Sequence, residues 1–501
     1  MKLRTLACIG LSVVLSGCFG KKGEVSDKTG WKYNDPKYGG VEYIKPNKET
    51  TAPGLVFIPG GAFLMGQVGD DIGYEWNNSA RRVTLDSYYI DETEVTNQQY
   101  RDYIFWMTKV YASMPNVVKN ALPDTLVWRS QLSYNEPYVQ TYFRHPSFNN
   151  YPVVGVTWLQ ASDYCVWRTD RVNEGKLIQK GILESNVAEQ EGSENFNTDA
   201  FLAGQYEGVL GKDRAQPKDI ASGDIRKVKF EDGILYPKYR LPTEAEFEYA
   251  AMAQVGSTYD ERIIERRLYG WSGSNVRDPS KKRRGEMMAN FQRGKGDLAG
   301  VAGSRQNDGY AIPAVVRTFP PNDFGLYDMI GNVNEWVADV YRPLSFGEVD
   351  EFNPFRGNVF LEAATDAEGN LLPKDELGRI KYDTIGVVDR NNYQIGDNRN
   401  YGDGDIYSSI FYSESGDVMD TVANSKYMYY QGAGSKNKGM TTMISDKSRV
   451  YKGGGFKDRP FWLRPATRRY LDQDRAAIDI GFRCAMSSLG GENVIEGKKK
   501  K

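Results

Sequence analysis

At 501 residues, 40% of them hydrophobic, the chain is long and apolar enough to bury a sizeable core. Its 64 basic and 66 acidic side chains nearly cancel, which excludes the broad positive field that grips nucleic acid, and no nucleic-acid partner is expected. A single histidine, His145 in RHPSFNNYP, excludes metal centres built on several imidazoles and reads as a loop or packing residue.

The N-terminus reads as a bacterial export signal over residues 1–17, with Lys2 and Arg4 ahead of an apolar stretch from Leu6 to Leu15 that is too short to span a bilayer. Leu15-Ser16-Gly17-Cys18 resembles the lipobox of bacterial lipoproteins, which implies cleavage before Cys18 and lipid attachment to it. Each buried acyl methylene contributes roughly 0.8 kcal/mol, so several chains anchor a protein firmly. Phe19 and Gly20, in place of an acidic residue, resemble the sorting context of outer-membrane lipoproteins. Residues 18–51 are rich in Lys, Gly, Asn and Pro and read as the lipidated cysteine and a tether.

The globular part is expected over 52–490. PGLVFIPGGAFLMG predicts two short strands joined by a turn at Pro59, Gly60 and Gly61. Three helix starts follow, each announced by a capping box: Thr96 with Gln99, Thr157 with Gln160, and Thr243 with Glu246. Their apolar faces are Tyr100, Tyr103, Ile104 and Met107 in the first, Trp158, Ala161 and Cys165 in the second, and Phe247, Ala250 and Ala251 in the third. Two long insertions, about 172–238 and 343–448, interrupt this pattern. Tyrosines between Tyr407 and Tyr430 suit either a partner surface or packing within the insertion. Cys165 and Cys484 are the thiols left after processing, and suit either a disulfide or two small buried apolar groups. Residues 491–501 form a basic tail.

Between Asn290 and Trp336 the oxygen donors are dense. GLYDMIGNVNEW places Asp328, Gly331, Val333 and Glu335 in one tight turn, two carboxylates and two main-chain carbonyls of the kind calcium takes. A second set needs Asn290 and the Phe291 carbonyl to meet Asp308 and the Tyr310 carbonyl across a glycine-rich loop. Taken alone, such clusters suit plain turns as well as metal cages. No GxSxG elbow or paired base accompanies any serine or cysteine, so nucleophilic catalysis has no support.

In order, FIPGGAFLMG, YIDETEVTNQQY, PVVGVTW, YRLPTEAEFEYAA, NDFGLYDMIGNVNEW, VYKGGGF and GFRCA resemble the formylglycine-generating enzyme, or sulfatase-modifying factor, family from about Ala52 to Met486. The resemblance implies an α+β fold of C-type-lectin-like character with much irregular structure. It also implies two calcium sites, one at Asn290, Phe291, Asp308 and Tyr310 and the other at Asp328, Gly331, Val333 and Glu335. The family's oxidases carry a cysteine pair in the block that here reads VYKGGGFKDRPFWLRPATRRY, and Asp458 and Leu463 occupy those two places. Neither supplies the soft thiolate that holds cuprous copper, so no copper or iron and no oxidase activity are expected.

The lipobox together with ALPDTLVWRSQLSYNEPYV, YCVWRTDRVNE and KDRPFWLRPATRRYLDQD resembles, more narrowly, a family of Bacteroidetes gliding-motility and type 9 secretion lipoproteins. That resemblance implies a non-catalytic structural component on the outer membrane, its periplasmic face favoured, working with other envelope proteins. The competing expectations are an enzyme using Asp458 with Arg459 and Arg464, and a lectin-like module stacking glycan or peptide on Phe461 and Trp462.

Overall fold

The computed structural model describes residues 25–45, 51–67, 78–185, 189–206, 208–255, 267–294, 308–342, 351–352, 354–357, 361–384, 411–412, 418–419 and 447–490. The signal segment, Cys18, the basic tail and nearly all of the Tyr407–Tyr430 stretch lie outside them.

All three capping boxes form. Thr96 and Gln99 open α1 (Asn97–Val110), and the short α2 (Pro115–Ala121) and α3 (Glu136–Thr141) follow before Thr157 and Gln160 open α4 (Trp158–Gln179). After α5 (Thr198–Ala203), Thr243 and Glu246 open α6 (Glu244–Met252). In each box the threonine hydroxyl and the N3 side chain satisfy two backbone donors that helical bonding leaves orphaned. The expected apolar faces turn inward: Tyr100, Tyr103, Met107, Ala161, Cys165, Phe247, Ala250 and Ala251 are buried.

The strands β1 (Leu55–Ile58) and β2 (Gly61–Met65) exist but do not pair with each other as a hairpin. Instead β1 pairs antiparallel with β4 (Tyr88–Asp91), and β2 with β3 (Arg81–Leu85). The intervening Gly60 passes so close to the β3–β4 turn that an added Cβ would lie 2.5 Å from the Leu85 carbonyl oxygen, which turns the chain from one sheet into the other. One sheet runs β1-β4-β14-β5, with β5 at Tyr239–Arg240 and β14 at Ala485–Ser487. In the second, β6 (Asn334–Val340) lies between β11 (Ser448–Lys452) and β13 (Ile480–Gly481), while β12 (Arg469–Asp472) pairs with the outer side of β11. Two-stranded ribbons β7–β8 (Leu361–Ala363, Tyr382–Thr384) and β9–β10 (Phe411–Tyr412, Val418–Met419) lie within the later insertion.

Every residue of α6 is buried, including Glu244, Glu246 and Glu248, and each carboxylate has a partner. Lys452, fully buried on β11, reaches Glu248 at 2.8 Å and Glu244 at 3.2 Å; Arg468 takes the other Glu244 oxygen at 2.8 Å, and Arg240 holds Glu246 at 2.7 Å. Burial opposes ionisation of Glu244, but Arg468 and Lys452 outweigh it and bring its carboxyl down to about 2. The thiols of Cys165 and Cys484 are both buried, unbridged and 3.4 Å apart.

The 172–238 insertion begins inside α4, whose helical period runs on to Gln179, and then forms a satellite core of Leu177, Ile182, Leu183, Phe196, Val228 and Leu235. The described stretch 361–384 of the later insertion docks onto it. The Leu377 carbonyl accepts from Tyr111 at 2.8 Å and Asn195 at 2.9 Å, and Gln205 exchanges bonds with Leu372 and Lys374 at 3.0 Å. The two insertions therefore build one accessory lobe beside α4. The segment read as a tether is shaped over 25–45 and attaches to the same lobe through Glu42 and Arg226, 2.5 Å apart.

Removing one partner of a buried ion pair leaves an uncompensated charge in the core. Lys452→Met is expected to lower unfolding free energy by about 3–5 kcal/mol, read from urea titration. A loss below about 1 kcal/mol would show that the cluster is solvated and gives no more than a surface pair.

Candidate functional site

The first predicted donor set comes together. Asp308 accepts the backbone N–H of Phe291 through Oδ2 and that of Tyr310 through Oδ1, each at 3.0 Å, so one carboxylate draws both ends of the glycine-rich loop to a point. Asn290 is fully buried and its amide nitrogen donates to the Ile312 carbonyl at 3.0 Å, but its Oδ1 meets no donor. A buried amide oxygen without a donor is costly. A hard cation is the group such an oxygen accepts, and this donor set fits calcium.

The second set is closely built and more strongly charged. Asp328 has a left-handed backbone (φ 54°), and its Oδ2 accepts the Arg317 N–H at 2.9 Å. Gly331 (φ 82°) has no room for a side chain, since a Cβ would lie 2.7 Å from the Asn290 carbonyl oxygen. The Val333 N–H donates to Glu94 at 3.1 Å. Glu335, on β6, is gripped by Arg483 through two bonds of 2.6 and 2.7 Å, and both side chains are fully buried.

Three residues that sequence reasoning did not single out hold the two sets together. Asn332 accepts from Ala314 at 2.7 Å and from Asn290 at 3.3 Å, and donates to Glu94 at 2.7 Å, so it bridges them. Glu94 adds a third buried carboxylate, and Arg483 is the cation they share. Their signals lay in ETEVTN, GNVNEW and GFRCA, where they read as ordinary block residues.

Burial, reinforced by Asp328 and then Glu335, pushes the Glu94 carboxyl well up. Burial also raises Glu335 in spite of Arg483, and lifts Asp328 to about 6. With one guanidinium among three buried carboxyls, ionising all three would leave a negative excess that a divalent cation would offset. Among the described residues no three Asp, Glu, His or Cys side chains converge at ligand distance. A cation held here would therefore take part of its shell from main-chain carbonyls, and at the second set it would share Glu335 with Arg483.

The two positions that the resemblance sets against the oxidases' cysteine pair, Asp458 and Leu463, are both structural. Leu463 is fully buried in the main core. Asp458 receives Arg469 through bonds of 2.8 and 2.6 Å, the Asn334 amide at 3.0 Å and the Gly455 N–H at 2.8 Å. Burial works against its ionisation, yet the Arg469 hydrogen bonds win and hold its carboxyl below the usual carboxylate range. Arg469 itself lies over Trp462 and Tyr451, 4.5 and 5.0 Å from the ring centroids. With both oxygens committed to a stacked guanidinium, Asp458 is poorly placed to act as a base. His145 accepts the Ser147 N–H at 3.2 Å and caps a short turn.

A family model described as sulfatase-modifying factor enzyme 1-like domain matches residues 41–385. Mouse formylglycine-generating enzyme is 24% identical over 326 residues, covering 62% of this chain and 67% of the enzyme. Mouse inactive C-alpha-formylglycine-generating enzyme 2 is 25% identical over 336 residues, covering 62% and 76%. Among solved structures, PvdO from Pseudomonas aeruginosa aligns over 89% of this chain and 100% of its own at 16% identity, with a TM-score of 0.40.

Glu335→Ala strands the buried Arg483 charge, so it is expected to cost about 3–5 kcal/mol in urea unfolding whether or not calcium is present. Equal stability of this variant and the parent would show that the Glu335–Arg483 pair contributes nothing.

Proposed function

The chain belongs to the sulfatase-modifying factor enzyme 1-like domain family, and from that premise we propose that it is a non-catalytic, calcium-stabilised member: an outer-membrane lipoprotein held through Cys18 that serves as a structural component of a type 9 secretion or gliding-motility apparatus. The single observation that carries the non-catalytic reading is the Asp458–Arg469 clasp beside a core leucine, Leu463, where the oxidases of this family have a reactive sulfur pair. A carboxylate committed to Arg469 and a hydrocarbon side chain offer cuprous copper no soft ligand. That relatives include a protein named inactive is compatible with this reading.

In this reading Asn290, Phe291, Asp308 and Tyr310 hold one calcium ion, and Asp328, Gly331, Val333 and Glu335 the other. Bound calcium supplies positive charge that fixes loops with little regular hydrogen bonding. The chain's own residues do the rest: Asn332 ties the two loops together, and Arg483 offsets part of the acidic charge. The scaffold then offers its accessory lobe to other envelope proteins on the periplasmic side. The resemblance to GldJ-type gliding lipoproteins supports this choice of partners.

Two measurements test the reading. Chelation followed by calcium addition is expected to shift the melting temperature reversibly, and Asn290→Ala is expected to reduce that shift, because it removes the oxygen that has no donor, and to lower the calcium-free stability too, since the bonds to Ile312 and Asn332 go with it. Unchanged melting together with no calcium in elemental analysis would remove the metal from the proposal. Copper-loaded protein is expected to oxidise no cysteine peptide above background, and turnover that disappears in Asp458→Ala would establish an enzyme instead.

A further inference from the structure

The segment 25–45 is shaped without being buried. Asn34 donates to the Tyr43 carbonyl and accepts the Tyr43 N–H, each at 2.9 Å, and Tyr33 stacks on Tyr43 with centroids 4.9 Å apart. Asp35 caps the turn at Pro36–Tyr38, which Gly39 ends in the left-handed region. None of its residues is buried. Trp31 is 58% exposed, Val41 52% and Val25 49%, and Tyr38 and Ile44 are exposed beside them. Lys28, Lys32 and Lys37 alternate with these apolar groups and are exposed too.

A fold held by polar bonds has no need of outward apolar side chains at this density, and such a patch marks a contact surface. Its chemistry is that of a bilayer headgroup layer. Tryptophan and tyrosine place an apolar ring body against acyl chains and a polar edge in water, while interleaved lysines meet anionic phosphates. Position selects lipid over a protein partner. Val25 follows Cys18 by seven residues, a span of at most about 25 Å when fully extended, so an acylated Cys18 holds the patch beside the membrane surface. On its other side the segment is fastened to the accessory lobe, with Glu42 on Arg226, Arg226 on Asp232 at 2.7 Å, and Gly40 running against Ala221 and Ile220.

We propose that residues 25–45 form a membrane-interface patch, seated in the headgroup layer of the bilayer that holds Cys18, which orients the accessory lobe toward that bilayer. The inference rests on the lipid-anchor reading above. Its test uses the full mature chain with Cys18→Ser, which carries no acyl group, and vesicles of phosphatidylethanolamine and phosphatidylglycerol. Co-sedimentation with these vesicles, and quenching of tryptophan emission by brominated acyl chains, are expected. The combined Trp31→Ala and Val41→Ala substitutions are expected to reduce partitioning by at least about tenfold, as loss of two inserted apolar side chains requires. Their unfolding midpoint should stay unchanged, since neither side chain is buried. Absence of partitioning, or partitioning indifferent to both substitutions, overturns the proposal. Mass spectrometry of the native Cys18 peptide tests the anchor separately: an unmodified thiol there sinks the anchor reading, whatever the vesicles show.

Discussion

One guanidinium, Arg483, organises the centre of this protein. It binds both oxygens of Glu335 on β6, and its remaining donors reach the carbonyls of Asp91 at the end of β4 and Tyr327 in the loop before the second donor set. Two sheets and an irregular loop thus meet on a single side chain with no contact to water. Arginine suits this position because its planar fork satisfies several acceptors at fixed angles without giving up its charge. Glu94 and Asp328 crowd the same guanidinium, and burial pushes both carboxyls up.

The Asp458–Arg469 pair obeys the same logic on a smaller scale. A pair of thiols would need exposure and a low-pKa environment to react. Here Asp458 is tied to the stacked guanidinium of Arg469, and Leu463 fills core volume beside α6. Hydrophobic filling at one place and a fixed ion pair at the other make this region rigid. The chain's relatives include both formylglycine-generating enzymes and a protein named inactive.

Local order was legible in the sequence wherever the cause was local. The three capping boxes fixed three helix starts, because each is a contact between residues three apart. Asp328, Gly331, Val333 and Glu335 were legible as a cluster because one turn holds them, whereas Asn290 and Asp308 meet only across the glycine-rich loop. The partners of the two short strands were not legible: Gly60 permits a hairpin turn, and only the close approach of the Leu85–Ser87 backbone directs β1 and β2 into different sheets. Glu94 and Arg483 escaped notice for a related reason. Each acts across more than a hundred residues, Glu94 lying 239 positions from Val333 and Arg483 148 from Glu335, and no local pattern encodes such a meeting. The order in 25–45 was hidden because its turns, held by backbone bonds such as Asn34 to Val41 and by the Asn34 side chain on Tyr43, lie in a stretch whose composition reads as a spacer.

The clasp between the two insertions carries an evolutionary consequence. Asn195 and Leu377 lie 182 residues apart, yet the amide of one donates to the carbonyl of the other, and Gln205 bonds Leu372 and Lys374 through both its amide nitrogen and its oxygen. Deleting either insertion alone would leave polar groups of the survivor without their partners. The two segments should therefore be gained, lost or exchanged among relatives as a pair, inherited as one unit although the chain encodes them apart.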